Sequence, residues 1–239
     1  MIIANMATFP ARFQTSLQVI ESIHAQVDQI NLCCNEFNNI PKEYSKYSKL
    51  NPIIPKTDYK DVGKFIHNVA SNDEIILIDD DIIYPKDYVA TLRDYYHQYE
   101  HLNIVVGVHG VIYLDLYDGS ISARKVFAFK HALNRPRIVN QLGTGTVYLK
   151  GHQLPGLKYM DCSQSFVDVR FSKYMIENGI GMVCIPRSAA WMHEIQQEVS
   201  IFNNFTNQWP LHVIREVQAI AGYSKLPLNL VKNIEFGKG

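Results

Sequence analysis

No stretch of this chain constrains its fold more than Ile75-Ile76-Leu77-Ile78-Asp79-Asp80-Asp81. Four consecutive large apolar residues after Ser71-Asn72-Asp73 predict a strand covered on both faces, as in a parallel sheet flanked by helices. The strand must stop where the carboxylates begin, because unpaired charges resist burial. Open α/β sheets bind ligands at the carboxyl ends of such strands. In an extended chain Asp79 and Asp81 point one way and Asp80 the other. Two hard oxygen ligands aimed at one point suit Mg²⁺ or Mn²⁺, which also takes phosphate oxygens from a substrate. Such a cation offsets the carboxylate repulsion and the charge of a diphosphate leaving group. An acidic solvated loop that merely ends a strand is the plain alternative. A haloacid-dehalogenase-type phosphatase also places Asp-x-Asp after a strand. It wants Thr or Val two residues after the second Asp, normally on the first strand, whereas Ile82-Ile83 follow here.

Around this strand, elements of both types alternate. Met1 to Met6 reads as a buried strand, Leu17, Ile20 and Ile23 as one face of a helix, and Gln29 to Cys34 as a second strand. Residues 35–62 read as a long connection, and Lys64 to Ala70 as a helix. Further strands are predicted at 104–108, 111–116, 126–129, 139–149 and 181–185, with a helix over Val167 to Glu177 closed by Asn178-Gly179. The expected fold is α/β: one domain over 1–239, with a mixed, mostly parallel central sheet, helices on both faces and extra antiparallel strands in the C-terminal half. Residues 1–115 form the mainly nucleotide-binding half and 116–239 the mainly acceptor-binding half.

With 23 basic and 23 acidic residues, the chain has no general field for gripping nucleic acid or an acidic membrane, so any anionic ligand needs a local site. Cys33, Cys34, Cys162 and Cys184 have apolar neighbours and no CxxC spacing, and read as buried reduced thiols. The opening Met1-Ile2-Ile3-Ala4 lacks a basic leader, and no apolar run approaches a membrane span. A cytoplasmic location is therefore expected.

Several candidate residues surround the triplet. In Asp61-Val62-Gly63-Lys64, glycine allows close backbone approach and Lys64 can face a base or phosphate; a solvated lysine is the alternative. Gly143-Thr144-Gly145-Thr146 interrupts strand-like sequence, leaving room and hydroxyls for a sugar ring, or forming a simple bulge. Arg135-Pro136-Arg137 holds two guanidiniums at a stiff spacing suited to carboxylates, unless it is merely an exposed basic pair. Asp168 is the only carboxylate in an apolar helix start, as a helix-terminal charge or a catalytic group. His193 is a candidate metal ligand or a structural histidine.

The strand with Asp79-Asp80-Asp81 resembles the DXD motif of GT-A glycosyltransferases. Longer strings extend the likeness: His24-Ala25-Gln26-Val27-Asp28, Tyr59-Lys60-Asp61-Val62-Gly63-Lys64-Phe65, Val139-Asn140-Gln141-Leu142-Gly143-Thr144-Gly145-Thr146, Phe166-Val167-Asp168-Val169-Arg170-Phe171-Ser172 and Gln218-Ala219-Ile220-Ala221-Gly222-Tyr223-Ser224-Lys225. They resemble the bacterial α-N-acetylglucosaminyltransferases of heparosan capsule synthesis, over nearly the whole chain. The resemblance implies a GT-A fold and retaining α1,4 transfer of N-acetylglucosamine from UDP-N-acetylglucosamine to a terminal glucuronate. It also implies a cytoplasmic enzyme, peripheral at the inner membrane, beside a partner glucuronosyltransferase. On that reading Asp81 and Asp79 hold Mn²⁺ or Mg²⁺, with His193 a further candidate ligand by its residue type alone. Thr8, Arg12, Asp61, Lys64, Asp79, Asp80, Gly143, Thr144 and Gly145 hold the nucleotide sugar, Arg135 and Arg137 the acceptor carboxylate, and Asp168 lies below the anomeric carbon. A C-terminal helix presents Trp209, Val213, Ile214, Val217 and Ile220 on one side. With the segment 196–208 it is expected to pack on its own domain, to close over the acceptor or to dock the partner.

Overall fold

The strand at Glu74–Ile78 (β4) is buried on both faces, as its composition demands. Ile76 and Ile78 enter one hydrophobic cluster with Val19, Ile20 and Ile23 of α1 (Phe13–Ile23) and Val89 and Leu92 of α2 (Tyr88–Gln98). Ile75 and Leu77 enter another with Phe171 and Met175 of α4 (Val167–Glu177). Each such fully buried aliphatic side chain contributes about 1.5–3 kcal/mol. Helices therefore cover both faces of the sheet.

The computed structural model describes residues 1–195, 209–227, 230 and 234. The segment 196–208, expected to close over an acceptor, lies outside the described residues. The central sheet has eight strands. β3 (Leu50–Ile53), β2 (Gln29–Cys34), β1 (Ile2–Thr8) and β4 are adjacent and parallel. Next comes β11 (Thr146–Lys150), antiparallel to both its neighbours, then β6 (Ile104–Gly107) and β12 (Gly181–Cys184), which are parallel to each other. β9 (Arg137–Ile138) closes the edge, antiparallel to β12. The α/β class and the mixed, mostly parallel sheet match the sequence expectation.

The extra antiparallel strands are also present. β10 (Gln141–Leu142), β7 (Gly110–Tyr113) and β8 (Arg124–Phe127) form a small second sheet. The C-terminal helix, α5 (Leu211–Ile220), buries Val213, Val217 and Ile220 with Tyr113 and Val169. Its Glu216 bridges Arg170 and Lys173 of α4, at 3.1 Å each. This helix packs on its own domain. Among the described residues, no helix is long and apolar enough to cross a membrane.

Some local expectations change. Instead of a helix from Lys64, a 3₁₀ segment spans Lys60–Phe65. Its Gly63 lies against β2, where a Cβ would come within 2.7 Å of Cys33 Sγ. β3 falls inside the stretch read as a long connection. It contains Pro52, which removes a donor but is tolerated because β3 is an edge strand. All four cysteines are free, but Cys162 is exposed rather than buried.

Candidate active site

β1 and β4 are adjacent and parallel, so their carboxyl ends meet. The Thr8 hydroxyl donates to Asp80 Oδ2 at 2.7 Å. Arg12, buried just after β1, donates to Asp81 Oδ2 at 2.7 Å and to Asp80 Oδ1 at 3.5 Å. The ammonium of buried Lys64 donates to Asp79 Oδ1. The simple alternation expected of the triplet is therefore broken. β4 ends at Ile78 and the chain turns at Asp80-Asp81, which lets both carboxylates share one guanidinium while Asp79 faces Lys64.

A second wall comes from the antiparallel entry of β11. Thr146 lies opposite Ile78, so the residues before it lie beside the triplet. The buried Tyr84 hydroxyl accepts from Asp79 N at 2.9 Å and donates to Gly145 O at 2.7 Å, tying the two segments together. A Cβ on Gly145 would collide with the Asp79 carboxylate, which explains the glycine. Thr144 donates to Asp168 Oδ1 through its backbone N–H at 2.8 Å and its hydroxyl at 2.6 Å. Lys64 Nζ is also 3.5 Å from the Thr144 hydroxyl. Asp168 lies in the first turn of α4, where the positive helix end favours a carboxylate. A continuous chain therefore runs Asp79–Lys64–Thr144–Asp168. Burial alone would lower the Lys64 pKa, but Asp79, Asp168 and Asp61 outweigh it and raise it, so the cation persists.

Asp61 accepts from Ser165 N through both oxygens, at 3.0 and 3.1 Å. Ser165 has a left-handed φ of 73°, so this contact supports the turn leading into α4. Burial, with smaller contributions from Asp168 and Asp79, pushes the Asp61 carboxyl up to about 6, against Ser165 and Lys64. A raised acid binds its proton more tightly in the folded chain. Its stabilising contribution is present at low pH and is lost as pH rises through about 6. Asp61→Asn keeps an acceptor for Ser165 and cannot ionise. Its melting temperature relative to the parent should be several degrees more favourable at pH 8 than at pH 5, at roughly 2–4 °C per kcal/mol. Thermal melts of the metal-free proteins check this; an equal difference at both pH values would refute it.

The triplet offers the hard carboxylate oxygens that Mg²⁺ or Mn²⁺ takes, but Asp79 is held by Lys64, and Asp80 and Asp81 by Arg12. Burial raises the Asp81 carboxyl, and the charges of Asp79 and Glu194 raise it further against Arg12. Among the described residues, no three His, Cys, Asp or Glu side chains are gathered to hold a metal alone. His193 is thus not assembled with Asp79 and Asp81. It is exposed in the short strand β13 (His193–Glu194), opposite Ile83 of β5 (Ile82–Ile83). Ile195, just after β13, donates its N–H to the Asp81 carbonyl at 2.7 Å.

The structure gathers Thr8, Arg12, Asp61, Lys64, the triplet, Thr144, Gly145 and Asp168 at one end of the sheet. Gly143 adjoins them, with its N–H donating to His109 O at 2.9 Å. Arg135 and Arg137 lie elsewhere. They line a cavity of about 480 Å³ with Lys125, Phe127 and Leu133, and none of the triplet residues lines it.

Two neighbours were not singled out from sequence. Tyr84 carries a partial signal, as the first polar-tipped residue after the apolar Ile82-Ile83. His109, in the β6–β7 connection, carries none. Burial pushes the His109 pKa down, with Asp168 and Asp79 opposing and Arg187 and Arg124 adding to this.

No protein-family model matches the chain, and no curated protein matches it. Among solved structures, the crystal structure of a 4-diphosphocytidyl-2C-methyl-D-erythritol synthase is similar at 13% identity. The match covers 82% of this chain and 94% of that one, with a TM-score of 0.47. A likeness of that level assigns no activity.

Proposed function

We propose that this chain is a metal-dependent, retaining glycosyltransferase that moves N-acetylglucosamine from UDP-N-acetylglucosamine to the terminal glucuronate of a heparosan-type polysaccharide. The observation that supports the reading is the chain Asp79–Lys64–Thr144–Asp168, which links a carboxylate of the triplet to the acid in the first turn of α4. The motif resemblance supplies the identity of donor and acceptor. Asp79 and Asp81 would hold Mn²⁺ or Mg²⁺, whose chemistry is to neutralise the departing UDP. Lys64 and Arg12 keep the carboxylates oriented. Asp168 stabilises positive charge at the anomeric carbon, as nucleophile or as electrostatic partner in front-face attack. In this reading the enzyme works at the inner face of the membrane beside a partner glucuronosyltransferase.

UDP release from UDP-N-acetylglucosamine, with and without a glucuronate-terminated oligosaccharide, tests the reading. Release should rise strongly with acceptor. Diphosphate release from UTP and a sugar 1-phosphate would instead identify a sugar-nucleotide nucleotidyltransferase. Donor binding with neither reaction would identify a non-catalytic partner subunit.

A further inference from the structure

His109 is held by the same turn that forms the wall of the candidate site. Its backbone N–H donates to Thr146 Oγ1 at 3.0 Å, and its carbonyl accepts from Gly143 N at 2.9 Å. Thr146 N closes the turn on Gly143 O at 3.0 Å. The imidazole packs against Gly143, where a Cβ would lie 3.4 Å from the ring atoms Cγ and Cδ2. The Phe129 ring lies 6.1 Å away, centroid to centroid, and is itself packed against the hydrophobic cluster of α1 and α2. Among the described residues, neither ring nitrogen of His109 has a hydrogen-bond partner, and neither is among the side-chain nitrogens sealed from solvent without one. A fixed, half-buried imidazole therefore keeps both of its hydrogen-bonding positions open.

The turn also sets the order of the groups around it. Gly145 lies against the Asp79 carboxylate, Thr144 donates twice to Asp168 Oδ1, and Gly143 carries the His109 ring. On the transferase reading, the diphosphate lies at the triplet and the anomeric carbon at Asp168. What then reaches Gly143 and His109 is the transferred sugar, at the substituent beside its anomeric carbon. A neutral imidazole offers one N–H and one lone pair, and burial favours that form here. An anionic substituent would want a cation instead. An amide, with one carbonyl and one N–H, matches a neutral donor–acceptor ring, and its methyl gains from an aromatic face such as Phe129. We infer that His109, backed by Phe129, is the specificity-determining contact for the acetamido group of the transferred sugar. The inference rests on the proposed transferase reading for the identity of that sugar.

Calorimetric titration of the full chain with Mn²⁺ tests this, with UDP-N-acetylglucosamine, UDP-glucose and UDP as probes. The unaltered protein should bind UDP-N-acetylglucosamine roughly 10-fold more tightly than UDP-glucose, the combined size of a net hydrogen bond and a buried methyl. His109→Ala should abolish that preference by weakening UDP-N-acetylglucosamine alone. His109→Gln, which keeps a neutral donor and acceptor, should retain part of it, and Phe129→Ala should lose part of it. A full preference in His109→Ala overturns the inference, as does its absence from the unaltered protein. An equal fall for all three probes overturns it too, because that is what a merely structural role would give. If the alanine variant does not fold, His109→Phe keeps a ring over Gly143 and removes both nitrogens, and a full preference there is equally fatal. A His109-dependent preference without acceptor-dependent UDP release would instead sink the transferase reading and leave this contact standing.

Discussion

Asp81→Asn should lower transfer by about 10³-fold or more, and a chelator should do the same to the unaltered enzyme until Mn²⁺ or Mg²⁺ is restored. The size follows from the several kcal/mol that a divalent ion contributes to neutralising a diphosphate leaving group. The substitution should spare the fold. Arg12 keeps Asp80 as a partner, and the tie from Ile195 to residue 81 uses the backbone carbonyl, which the change leaves intact. Removing one of three crowded carboxylates also relieves repulsion. The two arms must agree: restored metal should rescue the chelated parent but not Asp81→Asn. Full activity in chelator would remove the metal and leave Arg12 and Lys64 as the cations at the diphosphate.

Asp168→Asn should cut kcat by about 10²–10³-fold with little change in donor KM, the range for losing one preorganised electrostatic contact. Asp168 Oδ1 is occupied by the two Thr144 donors, while among the described residues Oδ2 accepts no hydrogen bond. Asparagine can keep its oxygen on Thr144 and present its amide where Oδ2 stood. The geometry survives and the negative charge is lost. Steady-state kinetics with a matched thermal melt measure this. A rise in donor KM with unchanged kcat would demote Asp168 to a positioning residue for the Gly143–Gly145 wall.

How far the sequence carried the site can be judged from particular residues. Asp79, Asp80 and Asp81 were visible because a buried strand that ends in three acids is an unusual juxtaposition. Asp168 was visible as the lone acid at an apolar helix start. Gly145 reads in sequence as room for a sugar ring or as a bulge, whereas the structure brings the Asp79 carboxylate against it. Arg135 and Arg137 stand out for their spacing, yet spacing does not say that Arg137 falls on the edge strand β9, on the far side of β11, β6 and β12 from β4.

Local pattern by itself determined that β4 is buried on both faces, that α4 spans Val167–Glu177 and that α5 buries Val213, Val217 and Ile220. The first follows from an unbroken apolar run and the other two from a period of 3.6 residues, both written in adjacent side chains. Only the tertiary structure decided that Arg12 binds Asp81 across 69 residues and that Tyr84 joins Asp79 to Gly145 across 61. It alone decided that the Gly143–Gly145 wall lies at the triplet, because β11 inserts antiparallel between β4 and β6. Strand order and direction are set by the packing of the whole sheet. Periodicity tells a strand which faces to bury, but not which neighbour it will have.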